Sequence, residues 1–161
     1  MEARPTEFRG ITYRSKCEAM FALWLELRSP AAVVEYEPSW CELGDYTVDF
    51  VVAKPQESSL NGRLVMFETW LEFIEYKPSR PTFTYIAEIA KKLRIIAARE
   101  TAGTDFRFGC FIYWGSVYSE ERGIYAIDGE RGFYECSGDT NWLGMHEKAV
   151  RDFRFDLEVP A

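Results

Sequence analysis

A carboxylate and an ammonium group lie two residues apart inside an otherwise apolar segment, at Glu75 and Lys77 of LEFIEYKPSR. The apolar residues of this segment predict a buried strand that ends before Pro78. In a strand, residues i and i+2 point to the same face. We therefore expect the two charged groups to leave the strand side by side, among apolar neighbours.

A second carboxylate, that of Asp49, lies in YTVDFVVA, which also has the composition of a strand. A buried carboxylate is costly unless it is paired or bound to a metal ion. If the two strands are neighbours, Asp49 and Glu75 lie close together, and each resists ionisation. A divalent cation removes this repulsion, and a small set of oxygen ligands suits Mg²⁺ or Mn²⁺.

Lys77 completes a set of groups that could hydrolyse a phosphodiester. Beside a metal-bound water and a phosphate, an ammonium group can orient the nucleophile and neutralise developing charge. The alternative is that Glu75 and Lys77 form an exposed ion pair on an edge strand, where such pairs contribute less than about 1 kcal/mol.

Three further glutamates have competing interpretations. Glu18 follows Ser15 at the spacing of a helix capping box, and it could also join the metal site. Glu35 and Glu37 alternate with apolar residues and share one strand face, which we expect to be solvated. The alternative for Glu37 is a position near the metal site.

The elements that position these residues follow from apolar spacing and turn formers. They predict an α/β domain in which helices cover a central mixed sheet. The predicted order is helix, three strands, helix, strand, hairpin, helix. The elements are a helix over 16–28 capped by Ser15, strands over 33–43 and 46–53 joined by a turn at Gly44–Asp45, a loop over 54–63, a strand over 65–77, a helix over 84–100, a fully buried strand over 107–115, a hairpin over 123–136 that turns at Asp128–Gly129, and a helix over 141–155 capped by Asn141.

Composition predicts one folded domain over residues 1–161. Of the 161 residues, 47% are hydrophobic and 16% aromatic, which is enough for a sizeable core. The sequence has no apolar run of membrane-spanning length and no signal-peptide pattern at its start, so we expect a cytoplasmic protein that does not bind membranes. The four cysteines form no CxxC motif and His146 is the sole histidine, so we expect reduced thiols and no zinc site.

The formal net charge of −7 argues against broad electrostatic attraction to nucleic acid, but local basic surfaces remain compatible with it. The candidate substrate-binding residues are Arg14, Lys16, Arg80, Tyr85, Lys91 and Lys92. The alternative for Lys91 and Lys92 is that they belong to the ordinary solvated face of the second predicted helix.

The set of acidic residues and Lys77 resembles the PD-(D/E)xK, or restriction-endonuclease-like, nuclease superfamily. Its pattern of an Asp on one strand and (Asp/Glu)-x-Lys on the next matches Asp49 and Glu75-Tyr76-Lys77, with Glu18 on the first helix. FRGITYRSKCEAMFALWLEL and VVEYEPSWCELGDYTVDFVV are similar to small phage and mobile-element members. The similarity extends over roughly residues 8–113. Val48 stands where the motif's proline would be.

This resemblance implies a restriction-endonuclease-like core and a metal-dependent deoxyribonuclease, encoded by a phage or mobile element and acting in the host cytoplasm. It implies that Asp49, Glu75 and the backbone carbonyl of Tyr76 bind Mg²⁺ or Mn²⁺. Glu18 would be an outer or second-metal ligand, and Lys77 would position the attacking water. Attack would expel the 3′ oxygen and leave a 5′ phosphate.

A second hypothesis is a catalytically weak or inactive nuclease-fold protein that binds a protein or nucleic acid within a complex. The acidic net charge favours it, because such a chain attracts DNA poorly over long distances. Cleavage of both DNA strands would favour a homodimer. The intact acidic set with Lys77 favours the nuclease, since core packing does not require these residues.

Overall fold

A computed structural model shows an α/β fold. It describes residues 4–60, 62–129, 132–136, 141–155 and 157–158, with side chains at all of these positions except 56–60, 63–68 and 157–158. Within this part of the chain, no helix is both long and apolar enough to cross a membrane. The elements are β1 Thr6–Phe8, β2 Ile11–Tyr13, α1 Lys16–Arg28, β3 Val33–Tyr36, β4 Glu42–Leu43, β5 Tyr46–Thr47, β6 Phe50–Leu60, β7 Arg63–Lys77, α2 Phe83–Thr101, β8 Arg107–Trp114, β9 Gly123–Asp128, β10 Gly132–Glu135, a 3-10 turn Gly144–His146, α3 Glu147–Asp152 and β11 Leu157–Glu158.

The largest sheet has the strand order β10-β9-β8-β7-β6-β3. Strands β7 and β8 are parallel, and the other neighbours are antiparallel. A parallel pair needs a crossover connection, and α2 provides it. The predicted mixed sheet with helices is therefore confirmed.

The sheet separates two apolar clusters. On one side, Phe21 of α1 stacks on Tyr76 with ring centroids 4.4 Å apart. On the other side, Ile86 and Leu93 of α2 pack in a cluster that includes Phe73. Because side chains alternate along β7, Phe73 and Glu75 share the α2 side, whereas Tyr76 faces α1.

The two long helices agree with their predictions. Helix α1 spans the predicted residues, and the Glu18 N–H donates a hydrogen bond to the Ser15 hydroxyl at the N-cap. Every predicted apolar-face residue of α2 is buried. These are Ile86, Ile89, Ala90, Leu93, Ile96 and Ala97.

The predicted loop over 54–63 is wrong. Strands β6 and β7 pair as far as Leu60 opposite Arg63, so most of this segment is a long hairpin. Gly62 has a φ of +75°, which favours glycine. An Asn-Gly dipeptide at 61–62 is typical of such two-residue hairpin turns, and it outweighs the polar residues around it. Position 61 itself lies outside the described residues.

The last predicted helix begins later than expected, and Asn141 does not cap it. Residues 144–146 form a 3-10 turn, and α3 spans only Glu147–Asp152. Gly144 has a φ of +52°, which is incompatible with a helix running through it. Trp142, within the predicted helix, is buried in the α1-side cluster before α3 begins.

The remaining strands agree with the predictions only in part. The hairpin of β1 and β2 is not predicted, and it turns at Arg9 and Gly10 with φ values of 50° and 80°. Strand β8 is exposed at Arg107 and Phe108 and half-buried at Gly109 and Phe111, so the prediction of full burial holds only for Cys110 and for residues 112–114. The β9–β10 hairpin is confirmed, with Asp128 opposite Gly132, although residues 130–131 lie outside the described part. All four cysteines are free thiols, and two of them are buried.

Glu72 and Glu75 lie three residues apart and face opposite sides of β7, as the strand period requires. Glu72 is 5% exposed and pairs with Arg28 and Lys54, the latter at 2.8 Å. We predict that Glu72→Ala lowers the free energy of unfolding by about 3 kcal/mol, because it leaves two cations unpaired in a largely buried position. Urea denaturation measures this change.

Glu35→Ala is the matched control, since Glu35 is an exposed glutamate whose carboxylate accepts a hydrogen bond from Trp40. We expect it to change stability by less than about 0.5 kcal/mol. Equal effects of the two substitutions would show that the Glu72 ion pairs do not stabilise the fold.

Candidate active site

Glutamate and aspartate residues at the ends of three adjacent strands, Glu37, Asp49 and Glu75, form a row across the sheet, which we call the acidic row. The register of β6 with β3 and β7, continued by one residue, sets Asp49 between Glu37 and Glu75. The backbone supports this placement, because the Glu37 N–H donates to the Asp49 carbonyl at 2.8 Å. The sheet therefore concentrates negative charge where these three strands end.

The strand predicted to carry Asp49 is interrupted at that residue. Strand β5 ends at Thr47 and β6 begins at Phe50, with Asp49 at a bend between them. The Asp49 carboxylate oxygen Oδ2 accepts a hydrogen bond of 2.8 Å from the Tyr76 N–H. The Asp49 side chain thus supplies an acceptor for a backbone N–H of β7, and its orientation is fixed as a result.

Asp49 and Glu75 meet, as the sequence predicts. Asp49 is 9% exposed and Glu75 is 4% exposed, and the Glu75 carboxyl lies within hydrogen-bonding reach of the Asp49 carboxyl. Burial raises the pKa of Asp49 well above its ordinary value, and the contact with Glu75 and its negative charge raise it further. The hydrogen bond from the Tyr76 N–H opposes this rise but does not cancel it.

Glu18 reaches the same region from the first turn of α1. Its two carboxylate oxygens accept hydrogen bonds from the Tyr36 and Ser15 hydroxyls, each at 3.2 Å. Burial raises the pKa of Glu18, and these hydrogen bonds hold the rise back. The capping interaction at Ser15 and proximity to the acidic row coexist, so the two interpretations of Glu18 are compatible.

Glu37 lies with Glu18, Asp49 and Glu75, and these four carboxyls are called the acidic group. The expectation that Glu37 lies on a solvated strand face is wrong. Carboxylate oxygens of Glu18, Glu37 and Asp49 all lie within 4.8 Å of one another. Strand β3 ends at Tyr36, and Glu37 adopts a φ of +44° that turns it out of the strand alternation. A glutamate in this region is strained, and such strain concentrates at functional sites. The sequence carries no signal for it, because residues before proline are normally extended.

One guanidinium group borders the acidic group. Arg14 forms an ion pair of 2.8 Å with Glu37, and the Arg14 side chain is 72% exposed. Arg14 was predicted to bind substrate, and the structure places it at the edge of the carboxylates. A single exposed cation leaves the four carboxyl groups with an excess of negative charge.

Two phenols and one lysine surround Glu75. The hydroxyls of Tyr46 and Tyr85 donate to the same oxygen, Oε2, at 3.0 and 3.3 Å. Burial, followed by the charge of Glu75, raises the pKa of both phenols, so they remain protonated donors. The half-buried Lys77 lies with its Nζ 4.9 Å from the centre of the Tyr85 ring. Among the described side chains, Lys77 has no ion-pair partner.

The other predicted substrate contacts are spread more widely. Arg80 is exposed and pairs with Glu135 at 3.4 Å, so a carboxylate already neutralises it. The Nζ of Lys92 lies 5.6 Å from the centre of the Tyr46 ring, so the Tyr46 side chain separates Lys92 from Glu75. Lys16 is half-buried at the start of α1, and Lys91 is exposed on α2. Arg14, Tyr85 and, less directly, Lys92 are thus the members that the fold brings to the acidic row.

No family model matches the chain, and neither a curated protein nor a solved structure matches it. The chemistry of the site therefore rests on its own donor set. That set consists of carboxylate oxygens on a partly buried surface, which are the ligands of Mg²⁺ and Mn²⁺. Burial and then the contact with Glu75 raise the pKa of Asp49, and a bound cation would favour the ionised form of both carboxyls.

We predict that Asp49→Asn stabilises the protein in EDTA at neutral pH. An asparagine oxygen still accepts from the Tyr76 N–H, and its amide can donate to Glu75. The expected gain is on the order of 1 kcal/mol, because a repulsive buried charge is removed. Thermal or urea denaturation of both proteins measures this gain.

The same substitution should change the pH dependence of stability. The ordinary pKa of Asp49 is 3.8 and its native pKa is raised, so between these values the folded state binds more protons than the unfolded state. The free energy of unfolding therefore falls as the pH rises from 3.8 toward the raised native pKa, and Asp49→Asn should reduce that slope. Asp45→Asn, in an exposed turn, is the control and should change nothing. An unaltered slope in Asp49→Asn would contradict the assignment.

Proposed function

We propose that the protein is a Mg²⁺- or Mn²⁺-dependent deoxyribonuclease with a PD-(D/E)xK site on a restriction-endonuclease-like core. One observation carries the proposal. The carboxyls of Asp49 and Glu75 meet across adjacent strands, and Lys77 follows Glu75 by two residues on the same strand face. Core packing alone gives no reason to bury two repelling carboxyls beside an ammonium group.

We assign metal binding to the acidic group. Asp49 and Glu75 would hold the cation, and the resemblance to the family implies the backbone carbonyl of Tyr76 as a further ligand. Glu18 and Glu37 lie close enough to Asp49 to add ligands or to bind ordered waters. When bound, a divalent cation activates water and stabilises negative charge on a phosphate.

Lys77 supplies the positive charge that the acidic row lacks. Its ammonium group lies free of carboxylate partners within the described structure, so it is available to a substrate phosphate and to the attacking water. It orients that water for in-line attack and neutralises the charge that develops on the phosphate. The water oxygen would bond to phosphorus and lose its proton to solvent as the bond to the 3′ oxygen breaks. The products would be a 3′ hydroxyl, which takes a proton from solvent, and a 5′ phosphate, as the family resemblance implies.

We predict that Lys77→Ala lowers DNA cleavage at least about 100-fold while the fold is retained, because a group that orients the attacking water and stabilises developing charge is lost. Supercoiled plasmid and end-labelled single-stranded, duplex and branched DNA, each with Mg²⁺ or Mn²⁺, are the substrates. Circular dichroism checks the fold. Lys148→Ala, which removes an exposed lysine on α3, is the control. Wild-type rates in Lys77→Ala would refute the role of Lys77.

We predict that Glu37→Gln weakens Mn²⁺ binding by about tenfold, since neighbours of a metal site contribute at this scale. Glu35→Gln is the matched control, because Glu35 is an exposed glutamate two residues earlier in β3. Calorimetric titration gives the affinity of each variant. Equal Mn²⁺ affinities in the two variants would remove Glu37 from the site.

The second candidate function is a binding module that retains the nuclease scaffold without cleaving DNA. The ion pair between Arg14 and Glu37 favours it, because an internal cation already neutralises part of the acidic group. The net charge of −7 also weakens long-range attraction to DNA. If the protein neither binds Mn²⁺ nor nicks plasmid DNA, this candidate replaces the nuclease.

A further inference from the structure

We infer that Tyr85 is a positioning residue that aligns Glu75 through its hydroxyl and Lys77 through its ring. The inference rests on the proposed nuclease function, and it replaces the expectation that Tyr85 binds substrate directly. It assigns one side chain to two tasks, the orientation of a metal-binding carboxylate and the placement of an ammonium group.

The position of Tyr85 is fixed by the start of α2. Its N–H donates to the hydroxyl of Thr82, the N-cap residue, at 3.2 Å. The next residue, Ile86, is fully buried, so the first helical turn is packed against the sheet. Pro78 and Pro81 restrict the short segment that joins β7 to this turn. The ring is therefore held at a defined distance from the end of β7.

The hydroxyl of Tyr85 acts on Glu75 together with that of Tyr46. Both donate to Oε2, and neither contacts Oε1. Two donors on one oxygen set the rotamer of Glu75 without occupying both oxygens.

The ring of Tyr85 packs against the α2-side cluster and also lies against Lys77. Lys77 Nζ lies 4.9 Å from the ring centre, a distance at which an ammonium group is attracted to an aromatic face. No carboxylate within the described residues pairs with Lys77, so this ring is its principal restraint. The Tyr46 ring lies against a different lysine, since the Nζ of Lys92 is 5.6 Å from its centre.

Tyr46 and Tyr85 thus form a matched pair. Their hydroxyls contact the same carboxylate oxygen, but their rings contact different lysines. Substitution by phenylalanine removes a hydroxyl and keeps the ring, whereas substitution by leucine removes both. The difference between the two substitutions isolates the ring at each position.

The first test measures kcat, KM and Mn²⁺ affinity for Tyr85→Phe, Tyr85→Leu, Tyr46→Phe and Tyr46→Leu. We expect the kcat of Tyr85→Leu to be about tenfold below that of Tyr85→Phe, with similar Mn²⁺ affinity, because a reacting group is misplaced. The two Tyr46 variants should agree in kcat. If Tyr85→Leu does not fold, Tyr85→Met provides the same comparison with a longer side chain.

The second test is chemical rescue by methylammonium, which a merely structural role for the ring would not affect. Methylammonium should restore part of the activity of Lys77→Ala and of Lys77→Ala with Tyr85→Phe, since the ring still offers a face for a cation. Rescue should be at least about fivefold weaker in Lys77→Ala with Tyr85→Leu, where that face is absent.

Equal kcat values for Tyr85→Phe and Tyr85→Leu, or equal rescue in all three Lys77→Ala backgrounds, would overturn the inference and leave the nuclease function intact. A wild-type protein that neither binds Mn²⁺ nor cleaves DNA would overturn both.

Discussion

Repulsion between buried carboxyls is the constraint around which the site is organised. Asp49 and Glu75 are each less than a tenth exposed and lie in contact, and Glu18 and Glu37 add negative charge beside Asp49. Several local features limit the resulting cost. They include the backbone N–H that donates to Asp49, the two phenols on Glu75, the hydroxyls on Glu18 and the arginine on Glu37. The pKa of Asp49 nevertheless remains raised, chiefly by burial and further by the contact with Glu75 and its charge.

The two long helices support the site in the same way. Helix α1 begins at a capping Ser15 and places Glu18 three residues later, and α2 begins at a capping Thr82 and places Tyr85 three residues later. Each first turn thus directs one side chain toward the acidic row. The positive ends of both helix dipoles also lie near this negative charge, which favours its ionised form. Register within the sheet and capping of the helices therefore act together.

The sequence allowed prediction of the parts of this arrangement that depend on periodicity. Apolar spacing predicted α1 and α2, and the adjacency of two strands predicted that Asp49 meets Glu75. The role of Glu37 depends on a left-handed backbone before Pro38, which no pattern signals because residues in that position are normally extended. The β6–β7 hairpin falls in a segment whose polar composition is typical of a loop, and only the Asn-Gly dipeptide in the sequence at 61–62 favours a hairpin. Contacts such as that of Lys77 with Tyr85 need three-dimensional placement.

The proposed function requires a divalent cation to bind at the acidic row. Anomalous diffraction from crystals soaked in Mn²⁺ tests it most directly, because the signal locates the ion independently of any activity. We expect one strong peak within coordination distance of Asp49 and Glu75, with Glu18 or Glu37 nearby. An empty density map at this position under saturating Mn²⁺, with Arg14 still paired to Glu37, would contradict the account.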